Sequence, residues 1–311
     1  MTSTVATTEI GLARKPRRKG RSPSVTWRVI TKSLGYTLLI AIALLSSIPL
    51  LWMISTSLKE HPGELLFPPE LIPNPWEWHN YIDVWTVTGI HRFFLNSLLV
   101  TITATAGSVL TASMVGFGFA RIDFPGRTAL FVLMLSTMML PEIVMLVPTF
   151  VMFRVVGWID TPMPLIVPYW FGGGAFYIFL IRQFMLQLPK ELDEAAFADG
   201  ASYFRIYWNI ILPLMGPALA TVAIFSVVAR WNDFLGPLIF LNAETWRTLA
   251  LALRTFLVGE LSSLGGMGGA VPRWNLLMVS GEIMMLPIVI LFFAAQRYFI
   301  RGIALTGLTG R

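Results

Sequence analysis

The chain has no cysteine, and only 13% of its 311 residues are charged. The first absence excludes a disulfide framework, a thiol nucleophile and thiolate metal sites. The second is more telling, because a soluble domain carries about 25% charged residues. With 55% hydrophobic residues, the composition points to a chain made for lipid. Catalytic motifs are missing too. Gly never precedes Lys, so the phosphate-cradling GxxxxGK[ST] loop cannot exist, and neither H-E-x-x-H nor G-x-S-x-G occurs. The three histidines, His61, His79 and His91, are not spaced as a metal site. An intramembrane enzyme would lack its constellations, and energy from a nucleotide has to enter through another chain.

What the sequence has is apolar length. A bilayer core requires about 20 mostly apolar residues per helix. Six runs meet this, and they predict an all-α polytopic membrane protein. The first lies near Leu34–Ser55 and the second over Phe93–Ala120, both without a charge. The third covers Thr128–Phe153, interrupted by Glu142; the fourth lies within Thr161–Ile181. The fifth runs from Pro217 to Phe240 and the sixth from Trp274 to Gln296.

Lysine and arginine set the orientation. The run Arg14–Arg21, with Arg28 and Lys32, precedes the first span, and Arg121, Arg127, Arg182, Lys190 and Arg205 fall in even-numbered loops. Arg297, Arg301 and Arg311 follow the last span, whereas the opposite side has only Lys59, Arg92, Arg154, Arg247, Arg254 and Arg273. Both termini are therefore expected in the cytoplasm. The expected organisation is a basic tail over 1–32, a transmembrane domain over 33–300 and a C-terminal tail over 301–311. The basic run reads as a topology-fixing tail, with lipid head groups as a further use, rather than as a nucleic-acid arm. Outside lie a proline-rich segment with Trp76, Trp78 and Trp85, suited to the membrane interface or to docking, and a flexible loop over 259–274.

Charges inside spans are costly, about 2.5–3.5 kcal/mol each on insertion scales, so they should face protein or water. Glu142, Arg230, Asp233 and Glu282 are such residues. One reading gives a polar translocation path, with Trp231 stacking on a sugar ring and Asn232 hydrogen bonding its hydroxyls. The other gives an interhelical pair, Arg230 with Glu142 or Glu282. The triplet in "FGGGAF" (Phe171–Phe176) lets helices pack closely or breaks one.

Between the fourth and fifth spans stands "LPKELDEAAFADGASYFRIYWNIILPLMGPALA", with four acids, Glu191, Asp193, Glu194 and Asp199. Pro189 starts a helix whose first turns hold acids, as the helix dipole favours. Alanines keep it slim, and Gly200 supplies a left-handed stop. A second piece, Ser202–Leu212, runs until Pro213 and Pro217 break it. Physically this is either a helix shaped for a partner's groove or an interfacial connector.

The residues themselves resemble a known element. Glu194, Ala195, Ala196, Asp199, Gly200 and Ala201, followed by Ile211, Leu212 and Pro213, resemble the EAA loop of permease subunits of binding-protein-dependent ABC importers. "FFLNSLLVTITATAGSVLTASMVGFGFARIDFPGR", "WNDFLGPLIFL" and "QRYFIRGIALTGLTG" are similar to segments of the carbohydrate-type class that includes the maltose permease. The resemblance covers nearly everything from the first span onward. It implies a type I ABC-importer permease fold in which the loop, about 188–216, seats in a cleft of an ATPase subunit. Glu194 would then make the polar contact, Ala195 and Ala196 would permit close approach, and Gly200 the turn. The partners implied are a second permease in a heterodimer, two ATPase subunits or domains that bind ATP and Mg, and an external solute-binding protein. No cofactor is expected in this chain. Amino-acid or peptide import, and a secondary transporter with inverted broken spans, stand as alternatives.

Overall fold

The computed structural model describes residues 25–60, 71–265 and 273–307, with side chains described for 32–60, 71–259 and 273–296. His61, the run Arg14–Arg21 and residues 266–272 of the external loop lie outside these. All regular elements among the described residues are helical. Two units are distinguished, Met1–Leu51 and Trp52–Arg311. In the first, the described residues belong to α1 (Val25–Ser57), whose stretch from Lys32 is apolar enough to span. The tail expected over 1–32 is thus helical from Val25.

In the second unit, α2 (Asn80–Val87) leads to α3 (Ile90–Arg121). Next come α4 (Arg127–Ser136) and α5 (Glu142–Val156), then α6 (Met163–Ile166) and α7 (Ala175–Met185). Short α8 (Glu191–Ala198), α9 (Tyr203–Ile206) and α10 (Leu212–Leu214) precede α11 (Gly216–Trp231) and α12 (Leu235–Phe240). The chain continues with α13 (Leu249–Gly265) and α14 (Trp274–Gly307). Part of the loop expected over 259–274 therefore extends α13, and the expected C-terminal tail is helical as far as Gly307.

By length and apolarity four helices of the described residues can cross a membrane, or six if each of two bent pairs counts as one span. Two of the spans expected from the sequence are bent. The third breaks by 100° between Arg127–Met139 and Glu142–Val156. Pro141 lacks an N–H and holds Leu140 extended (φ −78°, ψ 120°), so the helix cannot pass through. The fifth bends by 78° at Met215, joining Tyr203–Leu214 to Gly216–Trp231. It ends at Trp231, not at Phe240.

α3 is the element around which the others pack. Between Thr101 and Gly116 its buried face is made of small residues, as close helix contact without a hydrophobic drive requires. A Cβ at Gly107 would come 2.6 Å from the Trp170 ring, and one at Gly116 would come 2.7 Å from Ile181. The Gly172–Gly174 triplet both breaks the helix and permits approach: at Gly173 (φ +67°) a Cβ would meet the Ser108 backbone at 2.8 Å. Polar cross-links accompany the packing, Thr105 to Ser226 (3.1 Å) and Ser113 to Tyr207 (2.7 Å). One apolar cluster gathers Ala112, Phe117, Ala120, Ile181, Met185, Ala196, Tyr207 and Met215. It reaches from α3 into the 188–216 loop.

Candidate functional site

The loop folds as its chemistry dictates. α8 carries Glu191, Asp193 and Glu194 in its first turn, where the helix dipole favours anions. It stops at Gly200 (φ +77°), whose N–H donates to Phe197 O while Ala201 N–H donates to Ala196 O, both at 2.9 Å. This pair of bonds is the Schellman stop. Ser202 then opens α9 by accepting from Arg205 N, and a π-helical turn over Tyr207–Ile211 carries the chain into α10.

Glu194, Ala195, Asp199 and Gly200 are exposed, flanked by Leu192 and Phe197. Phe197 meets Tyr203 edge to face, with ring centroids 4.9 Å apart. Ala196 is different. It lies in the chain's own apolar cluster at 6% exposure, so its slimness serves contact with α3 and α7 within this chain. The expectation of a close approach to a partner stands on Ala195 alone.

The polar residues of the spans separate into two groups. Arg230 donates to the Tyr169 hydroxyl, lies over that ring at 4.2 Å and is 3.9 Å from Asp233. Its expected pairing with Glu142 or Glu282 is not formed. Glu142 opens α5 at the bend and is exposed. Asp233 accepts from Gly236 N, in the first turn of α12, at 3.1 Å. Asn232 is exposed just past α11, its side chain donating to Val228 O at 2.8 Å. Both residues sit in the break after α11, because a helix end has carbonyls and N–H groups to satisfy.

Trp231 and Glu282 lie apart from this group. Trp231 is 3% exposed, its N–H donates to Met284 O at 2.8 Å and its ring packs edge-on against Phe94. Its face is not open to stack on a sugar, which corrects that expectation. Glu282 accepts from the Tyr81 hydroxyl at 2.6 Å, and that hydroxyl also meets Ser57 at 2.9 Å. Burial, reinforced by Glu282, pushes the Tyr81 hydroxyl above its ordinary value.

Residues 108–305 match the family model described as the binding-protein-dependent transport system inner membrane component. The chain belongs to this family. Similar proteins include a probable ABC transporter permease of Bacillus subtilis, 33% identical and aligned over 93% of this chain and 90% of that protein. An arabinooligosaccharides transport system permease of Halalkalibacterium halodurans is 33% identical over 94% of this chain and all of that protein. A trehalose/maltose transport system permease of Thermococcus litoralis is 30% identical over 87% and 94%. Among solved structures, a bacterial ABC transporter involved in import of the acidic polysaccharide alginate shares the fold. Its TM-score is 0.76 at 22% identity, covering 87% of this chain and 96% of that one.

For the permease, three side chains escaped the sequence reading. Tyr169 and Tyr81 lie in no motif, and only the fold sets their hydroxyls on Arg230 and Glu282. Arg121 counted as one more inside cation. In the structure its side chain is 3% exposed and reaches Asp193 at 3.1 Å. Burial raises the Asp193 carboxyl above the ordinary range by more than the Arg121 guanidinium lowers it.

Proposed function

We propose that this permease forms part of the translocation path of an ATP-driven sugar importer in the plasma membrane of a prokaryote, and that residues 188–216 receive the power stroke. The exposed ridge of Glu194, Ala195, Asp199 and Gly200, ended by the Gly200 turn, is the observation that carries the coupling reading. A slim capped helix with acids at its start suits a groove bearing cations. The permease is then not itself an enzyme. ATP and Mg belong to two ATPase subunits or domains, since the chain has no phosphate-cradling loop. A second permease completes the path, and an external solute-binding protein delivers the cargo. Sugars are the class favoured over amino acids, because the related permeases with assigned cargo include those for arabinooligosaccharides and trehalose/maltose. The group of Tyr169, Arg230 and Asp233, together with the exposed Asn232 and Glu142, supplies the donors and acceptors that hydroxyl-rich solutes need.

The test is ATP hydrolysis by the complex, purified with its co-expressed partners and reconstituted in lipid. A binding protein loaded from a panel of sugars should stimulate hydrolysis, and one offered amino acids should not. Glu194→Lys and Gly200→Trp should each abolish the stimulation. Transport by the permease alone, with both variants unimpaired, would overturn the proposal.

A further inference from the structure

We infer that Arg121 is the polar strut through which α8, at the head of the 188–216 loop, moves with α3, an inference that rests on the coupling reading above. Arg121 is the last residue of α3. One guanidinium nitrogen donates to two carbonyls at the end of α7, Met185 O at 3.0 Å and Leu188 O at 2.9 Å. The other meets the Asp193 carboxylate in the first turn of α8 at 3.1 Å. One planar side chain thus fixes the ends of three elements at once, a geometry that lysine's single ammonium does not reproduce.

The pair is poorly arranged for stability alone. Arg121 Nε and Asp193 Oδ1 are both buried and lack a hydrogen-bond partner. A buried, half-satisfied ion pair is commonly matched or bettered in stability by apolar side chains of similar volume. What it supplies here is direction. α8 is short, its outer face is exposed, and its polar tie to α3 runs through Asp193. From Arg121 the stiff helix α3 extends the length of a span to Asn96 and Ser97, which hold Thr245 O, Arg247 O and Leu249 N near the opposite end. A push on α8 therefore reaches that end through α3 when the strut is intact. Without it, the exposed ridge still meets its partner but the displacement is taken up at the joint. Arg121 is a positioning residue, acting through Asp193.

The experiment uses the full complex in lipid nanodiscs and proteoliposomes, comparing the native chain with Arg121→Lys, Arg121→Met and Asp193→Asn. The chain has no cysteine, so Ala195→Cys in each background gives a single thiol for cross-linking to the ATPase. The expected result is uncoupling: cross-linking and ATP hydrolysis persist, while sugar transported per ATP falls about fivefold or more, Arg121→Met most and Asp193→Asn least. An unchanged ratio in all three variants overturns the strut. Loss of cross-linking in proportion to transport overturns it too, since the pair would then serve only to fold the loop. If the native chain with Ala195→Cys fails to cross-link to any ATPase, the coupling reading itself falls, a result distinct from either of these.

Discussion

Asp160 shows how one side chain can join two turns that the sequence leaves unconnected. It is non-glycine yet adopts φ +63°, a left-handed conformation that Asp tolerates better than most residues. Its N–H donates to Phe240 O at 2.9 Å, and its carboxylate accepts from the N–H groups of Asn242 and Ala243. Those two bonds hold the Asp160 carboxyl below the ordinary aspartate value of 3.8. The sign follows directly: with a depressed folded value, the contribution is complete above the ordinary value and is lost as pH falls through the folded one. Protection of the amides of 242–243, measured by hydrogen exchange corrected for intrinsic rates, should hold at pH well above the ordinary value of 3.8 and fall progressively as pH drops below it. Asp160→Asn, whose amide oxygen still accepts but does not titrate in this range, should remove that acid sensitivity. Asp160→Ala should leave both amides open throughout. Gly200 is the contrasting case, since its turn was legible directly: an acid-rich helix start, alanines, then Gly is a local pattern, whereas the Asp160 clasp joins residues about 80 apart.

At the scale of elements, six apolar runs were legible because lipid leaves no room for charge, and that signal needs no tertiary knowledge. The bends were not. Pro141 coincides with a 100° break, yet Pro49, Pro148 and Pro287 sit inside continuous helices. Whether a proline breaks a helix depends on which neighbours satisfy the freed carbonyls, and a single sequence does not display neighbours. The same limit applied to the polar residues of the fifth span. Trp231 and Asn232 are adjacent in sequence, yet the end of α11 sends one into the core and leaves the other exposed. The packing of α3 gives a direct test. Gly107→Val should press on the Trp170 ring and cost about 1–3 kcal/mol by overpacking. Gly118→Val, on the same helix with nothing within 4 Å of the added Cβ, should change little. Thermal unfolding of both variants in the same detergent should separate them, and equal losses would mean that glycine serves α3 by some means other than close contact.

For the whole molecule, orientation is the property on which the other readings depend. It was drawn from the lysine and arginine distribution alone, with the N-terminal run Arg14–Arg21 as its heaviest contribution. The absence of cysteine turns it into a clean measurement, since every introduced thiol is the only one in the chain. Cysteines replacing Asn74, His79 or Glu244, all exposed, should react with a membrane-impermeant maleimide on spheroplasts. Cysteines replacing Asp123 or Asp199, also exposed, should react only after the membrane is opened. Asp123 and Asp199 follow different spans, so their agreement tests the path of the chain through the bent third span and the fourth span as well as its direction. Should Asp199→Cys label from outside while Asp123→Cys does not, either the bent pair Arg127–Met139 and Glu142–Val156 or the span Met163–Met185 would not cross the membrane once. The 188–216 loop would then face away from any cytoplasmic ATPase. Labelling of both only after opening leaves α8 on the cytoplasmic side, joined by Arg121 to the end of α3, which is the arrangement that the proposed stroke from an ATPase requires.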